Sequence, residues 1–342
     1  MQTALLYTTL LALAIFAWRL GCWHLRRRRA LLIAGLKDCP HAVSSCTLFV
    51  EFPFLYRFSS QVDLLRTVGI PAMSRVLKRG SQIACNPSKG FDDSDILVRE
   101  MLLHHIDSPR GTLAVRRLNL LHSYYHIHND EYLYRLSLHV LSIIELSAKY
   151  GYREWTDLEK ISHYRVWHDI AVRMGIRSIP TTLAGFAQYR DEYEAKHMVY
   201  HPDNQKLAEG GMQLLLDQMP KLLRPLVLRI ALSLLDERAL AAVGYRVQPK
   251  CLVFLSQLVL KLHGMMVRWM PPRSLTRAQT RIPWTCPFAE AETEALPLAY
   301  QCYRPYSYKQ GYKVVELGGI KPGMVGNLCE GEILCPLPKA DT

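Results

Sequence analysis

Hydrophobic residues recur along most of this chain at the spacing of an α-helix. One clear stripe has members three or four positions apart, so that they share one helix face: Leu133, Leu136, Val140 and Ile144. Alternating apolar and polar runs long enough for β-strands are scarce. The pattern therefore predicts an all-α, multi-helix bundle-like domain.

Helix start and stop signals sharpen this prediction. In "TDLEKISHYRVWHDIAVRMGI", Thr156 and Glu159 have the spacing of a capping box, and Gly175 suits a C-terminal cap. By contrast, residues 86–95, "NPSKGFDDSD", have the composition of a loop, with Asp93 or Ser94 available to cap the helix that follows.

The N-terminal residues have the properties of a membrane-spanning helix. The first eighteen residues carry no charge, and the run from Arg26 to Arg29 follows shortly after them. Residues 3–23 would extend about 30 Å as a helix, enough to cross the hydrocarbon core of a bilayer. The basic residues follow the apolar run, which disfavours a cleaved signal peptide and keeps the body of the protein in the cytosol. A buried helix followed by a basic loop is the alternative.

A second apolar stretch runs from Cys251 to Met270. Its second half contains Lys261, His263 and Arg268, so a second span is disfavoured and a core helix is expected. An amphipathic helix lying on the membrane is the alternative. The predicted organisation is a transmembrane anchor (1–25), a basic linker (26–45), a helical domain (46–300) and a loosely structured C-terminal tail (301–342).

The formal net charge of +12 has a largely local origin, because Arg26 to Arg29 alone supply four positive charges. Neither a basic motif interleaved with aromatic residues nor a recognisable module favours nucleic acid, so the expected partner of these charges is the membrane. The nine cysteines are scattered and form no C-x-x-C pair, which favours free thiols in a reducing compartment.

The candidate chemistry lies in "RRLNLLHSYYHIHNDEYL", residues 116–133, which contains three histidines. His122 follows Leu118 by one turn, on the edge of an apolar stripe, and is therefore expected to point inward. His126 and His128 fall at the predicted helix end, where exposure is the simpler expectation.

Three interpretations of His122 remain open at this point. It can be a hydrogen-bonded core residue; it can bind a metal together with His126, His128 and Asp130 or Glu131; or it can be the axial ligand of a haem in an apolar pocket. The metal interpretation lacks a compact signature such as H-E-x-x-H.

A series of motifs between about residues 45 and 275 adds a resemblance. In order, they are "FVEFPFLYRFSSQVDLLRTVGIPAMSRVL", "RRLNLLHSYY", "DEYLYRLSLHVL", "TDLEKISHYRVWHDIAVRMGI", "RDEYEAKHMVYHPDNQKLAEG", "LLLDQMPKLLRP" and "DERALAAVGY". They resemble the fungal membrane-bound oxygenases related to the enzyme that cleaves a prenyl chain in mycophenolic acid biosynthesis. That group is similar in its catalytic domain to the bacterial rubber oxygenase known as latex clearing protein.

The resemblance implies a helical oxygenase domain that holds haem b and uses dioxygen to cleave carbon–carbon double bonds in lipophilic isoprenoid chains. It also implies an endoplasmic reticulum membrane location. His122 matches the family's proximal ligand position, whereas His139 stands where relatives carry an aromatic residue.

The resemblance implies that "SRVLKRGSQ" lies on the distal side, which makes Arg75, Lys78 and Arg79 the candidates to contact propionates or hold the distal face. A solvated basic face is the alternative for these three residues. The chain departs from the family here, because Arg79 and Gly80 stand where a Lys-Thr pair is expected. Two other functions stay open: a non-haem metal enzyme using the histidine cluster, and a non-catalytic membrane adaptor.

Overall fold

The computed structural model describes residues 2–79, 87–217, 219–274 and 311–318, and within these ranges the chain forms α-helices and no β-strand. The all-α prediction is thereby confirmed. In chain order the helices are α1 (Gln2–Gly35), α2 (Pro40–Cys46), α3 (Pro53–Val68), α4 (Pro71–Arg79), α5 (Pro87–Leu103), α6 (Pro109–Ser123), α7 (Asn129–Tyr150), α8 (Asp157–Arg173), α9 (Leu183–His197), α10 (Pro202–Asp217), α11 (Arg224–Leu232), α12 (Glu237–Ala242) and α13 (Lys250–Trp269). A π-helical turn (Thr47–Glu51) joins α2 to α3, and short 3-10 turns occupy Lys221–Leu223 and Val314–Glu316.

Helix α7 lies at the centre of the domain and packs against α3, α8, α9 and α13. Three residues of its predicted stripe, Leu133, Leu136 and Val140, are buried, and Ile144 is half-buried. Tyr134 and Leu138, on another side of the same helix, are also fully buried. A helix covered on several sides explains why hydrophobic residues extend beyond one face of its sequence.

The capping signals of α8 form as predicted. The Thr156 hydroxyl accepts a hydrogen bond from the Glu159 amide, and the Glu159 carboxylate accepts one from the Thr156 amide at 2.8 Å. Gly175 follows the helix with φ of +74°, a conformation in which a Cβ would be strained.

The loop predicted over residues 86–95 is wrong from Pro87 onward, because these residues begin α5. Pro87 opens the helix, a position where its missing amide costs nothing. The ammonium of Lys89 then lies 2.7 Å from the Asp93 carboxylate one turn later, which supports helical structure.

The basic run does not form a separate linker, since α1 continues unbroken to Gly35. Arg29 of this run is buried and pairs with Glu51 at 3.0 Å. The end of α1 is therefore attached to the helical domain by a buried ion pair.

The expectation of a core helix over residues 251–270 is also wrong. Helix α13 covers this stretch, but most of its apolar side chains are exposed, including Phe254, Leu258 and Met265. It is one of two described helices long and apolar enough to cross a membrane, together with α1.

Part of the region predicted as a loosely structured tail belongs to the core. Val314 and Leu317 are buried, and the Arg117 guanidinium donates to the Leu317 and Gly318 carbonyl oxygens. Residues 311–318 therefore pack on α6, while most of the predicted tail falls outside the described residues.

Candidate active site

A cavity of about 350 Å³ lies between α3, α5, α6, α7, α8 and α10. Its wall is mainly apolar, and its principal members are Phe58, Leu64, Leu118, Leu136, Ile170, Met174, Met212 and Leu215. A cavity of this size lies within the range of ligand sites in proteins. Polar side chains interrupt this wall: Arg57, Ser60, Gln61, Thr67, Asp92, Ser94, Asp95, His122, Arg135 and His139.

Helix α6 carries His122 into this cavity. The helix starts at the Ser108 cap, whose hydroxyl accepts from the Gly111 amide at 3.1 Å, with Pro109 at the first position. His122 is the second-last residue of the helix, and its ring lies against Tyr132 with centroids 5.5 Å apart. Its inward direction agrees with the sequence prediction.

The His122 ring is neutral and has an unused nitrogen. Burial lowers its pKa to about 4, so the imidazole carries no charge at neutral pH. Its buried Nδ1 has no hydrogen-bond partner among the described residues. Because buried polar atoms are normally paired, this atom indicates a missing partner such as a ligand.

His126 and His128 do not join His122. Both are exposed, and their rings contact each other edge to face at 4.7 Å. His128 precedes α7, and the Glu131 carboxylate accepts a hydrogen bond from its amide at 2.9 Å. Within the described ranges, the histidines, cysteines and carboxylates form no group of three that suits a metal ion.

One side of the cavity is polar. Arg135 of α7 and Thr67 of α3 both line it, and the guanidinium donates to the Thr67 hydroxyl at 2.9 Å. Burial lowers the pKa of Arg135, although Asp63 opposes this effect. Burial raises the pKa of Asp63 itself to about 7, despite Arg135 and a hydrogen bond from Ser142. The cavity wall thus contains a cation beside a hydroxyl, with a carboxyl group behind them.

A second histidine, His139, lines the cavity from α7. Its ring stacks on the indole of Trp167, with centroids 4.3 Å apart and planes 9° from parallel. Burial lowers the pKa of His139 well below its usual value. The structure therefore places two neutral imidazoles in this cavity.

The predicted distal residues lie elsewhere. Arg75, Lys78 and Arg79 of α4 are exposed and are absent from the cavity wall, whereas Leu77 of the same helix lines it. The Lys78 ammonium pairs with Asp203 at 2.6 Å. In this arrangement the three cations face solvent, and their distal role remains a prediction.

The polar side of the cavity was not predicted from the sequence. Arg135 and His139 share a face of α7 at a spacing of four, and a charged residue within the mainly apolar run 132–144 was an available signal. Thr67, by contrast, becomes recognisable only when α3 packs against α7.

The fold and the site together define an all-helical protein whose mainly apolar cavity contains a neutral histidine, His122, and a half-buried cation, Arg135. Comparison with known families is consistent with this class: the family described as "ER-bound oxygenase mpaB/B'/Rubber oxygenase, catalytic domain" matches residues 107–269. The chain belongs to this oxygenase family.

Three curated relatives support the assignment. The chain is 28% identical over 252 residues to the ER-bound oxygenase mpaB' of Penicillium brevicompactum, covering 68% of this chain and 60% of the relative. It is 30% identical to the ER-bound oxygenase mpaB of Penicillium roqueforti over 58% of this chain and 73% of the relative. It is 29% identical to mpaB of Penicillium brevicompactum over 49% of this chain and 47% of the relative.

Proposed function

We propose that this protein is a membrane-anchored, haem-dependent oxygenase that cleaves a carbon–carbon double bond in a lipophilic prenyl or polyene chain. The observation that carries the proposal is the neutral, half-buried His122, which lines an apolar cavity and has a buried Nδ1 without a partner among the described residues. Family membership supports oxygenase chemistry in the same cavity.

The residues present fit a haem. Its iron needs a neutral imidazole in a pocket poor in water, and His122 offers one. Its propionates need cations, and Arg135 presents a guanidinium to the cavity. Haem would supply the activation of dioxygen, and the protein would supply binding, orientation and exclusion of water.

The lining selects the substrate by its chemistry. Leu118, Leu136, Ile170 and Met212 offer contact surface to a hydrocarbon chain. Addition of one dioxygen across one double bond, with cleavage, places an oxygen atom on each carbon and yields two carbonyl products. The reaction therefore balances without a further reductant.

Helix α1 and the names of the relatives support the proposed location at the endoplasmic reticulum membrane. The relatives are named ER-bound, and α1 is long and apolar enough to span a bilayer. The basic run after the apolar segment favours a single span with the helical domain on the cytosolic side. A lipophilic substrate partitions into the same membrane.

The test is the visible absorption spectrum of the full chain, purified in detergent after expression with added haem precursor. We expect a Soret band that shifts on reduction with dithionite and is lost in His122→Ala. His126→Ala, which changes an exposed histidine of the same segment, is the matched control and retains the band. A folded but colourless wild-type protein, or a His122→Ala protein with an unchanged spectrum, contradicts the proposal.

A further inference from the structure

The exposed side of α13 is apolar along the whole helix. Its exposed members are Phe254, Leu255, Leu258, Val259, Leu262, Met265, Met266 and Trp269. At about 100° per residue they occupy an arc of roughly 140° on the helix surface. Single exposed apolar residues are ordinary, but a contiguous face of this length indicates an interaction surface.

The opposite side of α13 fixes the helix to the domain. Ser256, Leu260 and Gly264 are buried at spacings of four. A Cβ on Gly264 would overlap the carbonyl oxygen of Tyr150, so the helix lies close to the end of α7. The apolar face is consequently held outward and is not available to this core.

The C-terminal end of α13 meets α1 where the apolar run of α1 gives way to basic residues. The Trp18 indole donates to the Trp269 carbonyl at 2.9 Å, and Arg26 donates to the Met270 carbonyl at 2.8 Å. The Arg19 guanidinium lies 3.9 Å from the centroid of the Trp269 ring. Tryptophan and arginine side chains together are typical of the headgroup region of a bilayer, so this junction sets the depth of α13.

The charged residues around this apolar face are all basic. Residues 238–289 contain no aspartate or glutamate. Lys250, Lys261 and Arg268 all lie on one flank of the apolar face, within about 20° of one another on an ideal helix. Cations beside an apolar face are the pattern of a helix that binds anionic phospholipid.

Helix α11 extends the same surface. It packs beside α13, where the Ser233 hydroxyl donates to the Ser256 hydroxyl at 2.7 Å. Just before and within α11, Leu222, Leu223 and Leu226 are exposed, and Leu222 retains 89% of its accessible area.

We propose that α13 lies in the plane of the membrane, with its apolar face inserted among the headgroups of a bilayer that contains anionic phospholipid. The helix gives the domain a second attachment besides α1 and fixes its orientation. A second transmembrane span is disfavoured, since the three cations and the packing against Tyr150 hold α13 at the surface of the domain. The inference rests on the proposed membrane anchoring by α1, and it is independent of the cofactor.

The experiment uses the full chain reconstituted in vesicles of phosphatidylcholine and phosphatidylserine. A small fluorescent amino acid replaces Leu258 on α13, Leu11 on α1 or Val172 on α8, one at a time. Val172 is the matched control, because it is exposed and apolar and lies near the end of α8. The chain just after α8 contacts the start of α7, where Asn129 donates to the Arg177 carbonyl, whereas Gly264 lies against Tyr150 at the end of α7. Each reporter is measured with and without lipids that carry a nitroxide quencher on the acyl chain.

We expect strong quenching at position 258 by shallow nitroxides, quenching at position 11 by deep ones, and none at position 172. Quenching at 258 by shallow nitroxides supports the inference, whereas stronger quenching there by deep nitroxides would indicate a second span and overturn it. If position 258 behaves like position 172, the inference is overturned, and the face is covered by another part of this chain or by a second copy. Failure of α1 to insert is recognised separately, by the absence of quenching at position 11.

Discussion

The imidazole of His139 lies flat against the indole of Trp167, with 4.3 Å between the ring centroids. This stacking contact fixes the orientation of the His139 ring. The Nδ1 atom of His122, by contrast, has no hydrogen-bond partner among the described residues. Two histidines that share one cavity therefore differ in what surrounds them. The difference leads to opposite expectations for their substitution.

Under the proposed haem-dependent function, His139→Phe should keep the haem, because phenylalanine preserves the stack on Trp167 and the apolar volume. We expect the free energy of unfolding to change by less than about 1.5 kcal/mol. His122→Phe should instead lose the cofactor while the chain remains folded. Pyridine haemochromogen absorbance measures the haem content per protein, and far-UV circular dichroism shows whether each variant is folded. Loss of haem in His139→Phe but not in His122→Phe would make His139 the haem ligand instead.

His163 makes the stability of the folded protein depend on pH. Its Nε2 lies 3.1 Å from the His139 carbonyl and must donate to it, so its Nδ1 accepts from the Ser44 hydroxyl at 3.3 Å. Burial lowers the pKa of His163 to about 4. Its stabilising contribution is therefore complete above about pH 6.5 and is lost as the pH falls toward 4, up to roughly 3 kcal/mol.

His163→Phe should accordingly lower stability at pH 7, because it leaves a buried carbonyl and hydroxyl without their partner, at roughly 1–3 kcal/mol for each unpaired group. It should also flatten the rise in stability between pH 4 and pH 6.5. Urea unfolding in detergent at several pH values measures both effects. His168→Phe, at a partly exposed position of the same helix, should leave the slope unchanged; an equal flattening there would contradict the assignment to His163.

Asp63 should give the folding stability the opposite dependence on pH. Burial raises its pKa to about 7, so the folded state holds a proton that the unfolded state releases above about pH 4. Its contribution is complete below pH 4 and is lost as the pH rises toward 7, by roughly 4 kcal/mol. The free energy of unfolding of Asp63→Asn, relative to that of wild type, should thus be higher at pH 8 than at pH 5. Urea unfolding measures this difference, and a difference that does not change with pH would contradict the role of Asp63.

The close packing of α13 against the end of α7 can be tested by adding one methyl group at Gly264. Gly264→Ala places a Cβ against the Tyr150 carbonyl, and we expect destabilisation of about 1–3 kcal/mol from the resulting shift. Gly210→Ala in α10 is the matched control, since its Cβ meets nothing within 4 Å. That change should stabilise by about 0.5–1 kcal/mol through helix propensity. Thermal unfolding in detergent measures the midpoint temperatures of both variants. Equal midpoints would mean that α13 does not pack closely against Tyr150.

Local signals in the sequence predicted local structure well. The capping box at Thr156 needs only residues within one turn, and the inward direction of His122 needs only its spacing from Leu118. The loop predicted before Asp93 was wrong because polar and small residues also suit a first helical turn once Pro87 starts it.

The remaining features depend on long-range packing. Arg135 lies in a helix that periodicity predicts, but its partner Thr67 is 68 positions earlier and reaches it only through the contact of α3 with α7. The outward face of α13 likewise depends on which helices surround it, because apolar residues at helical spacing suit a core and a membrane surface equally.

The contact of Leu317 with α6 has a consequence for biosynthesis. Val314 and Leu317 fill the core beside helices whose sequence ends about 200 residues earlier, and Arg117 is satisfied by carbonyl groups that the ribosome adds late. The nascent domain therefore stays open on this side until residues 311–318 have emerged. Chaperone capture during translation is expected to concentrate in that interval, when α6 is complete but still uncovered.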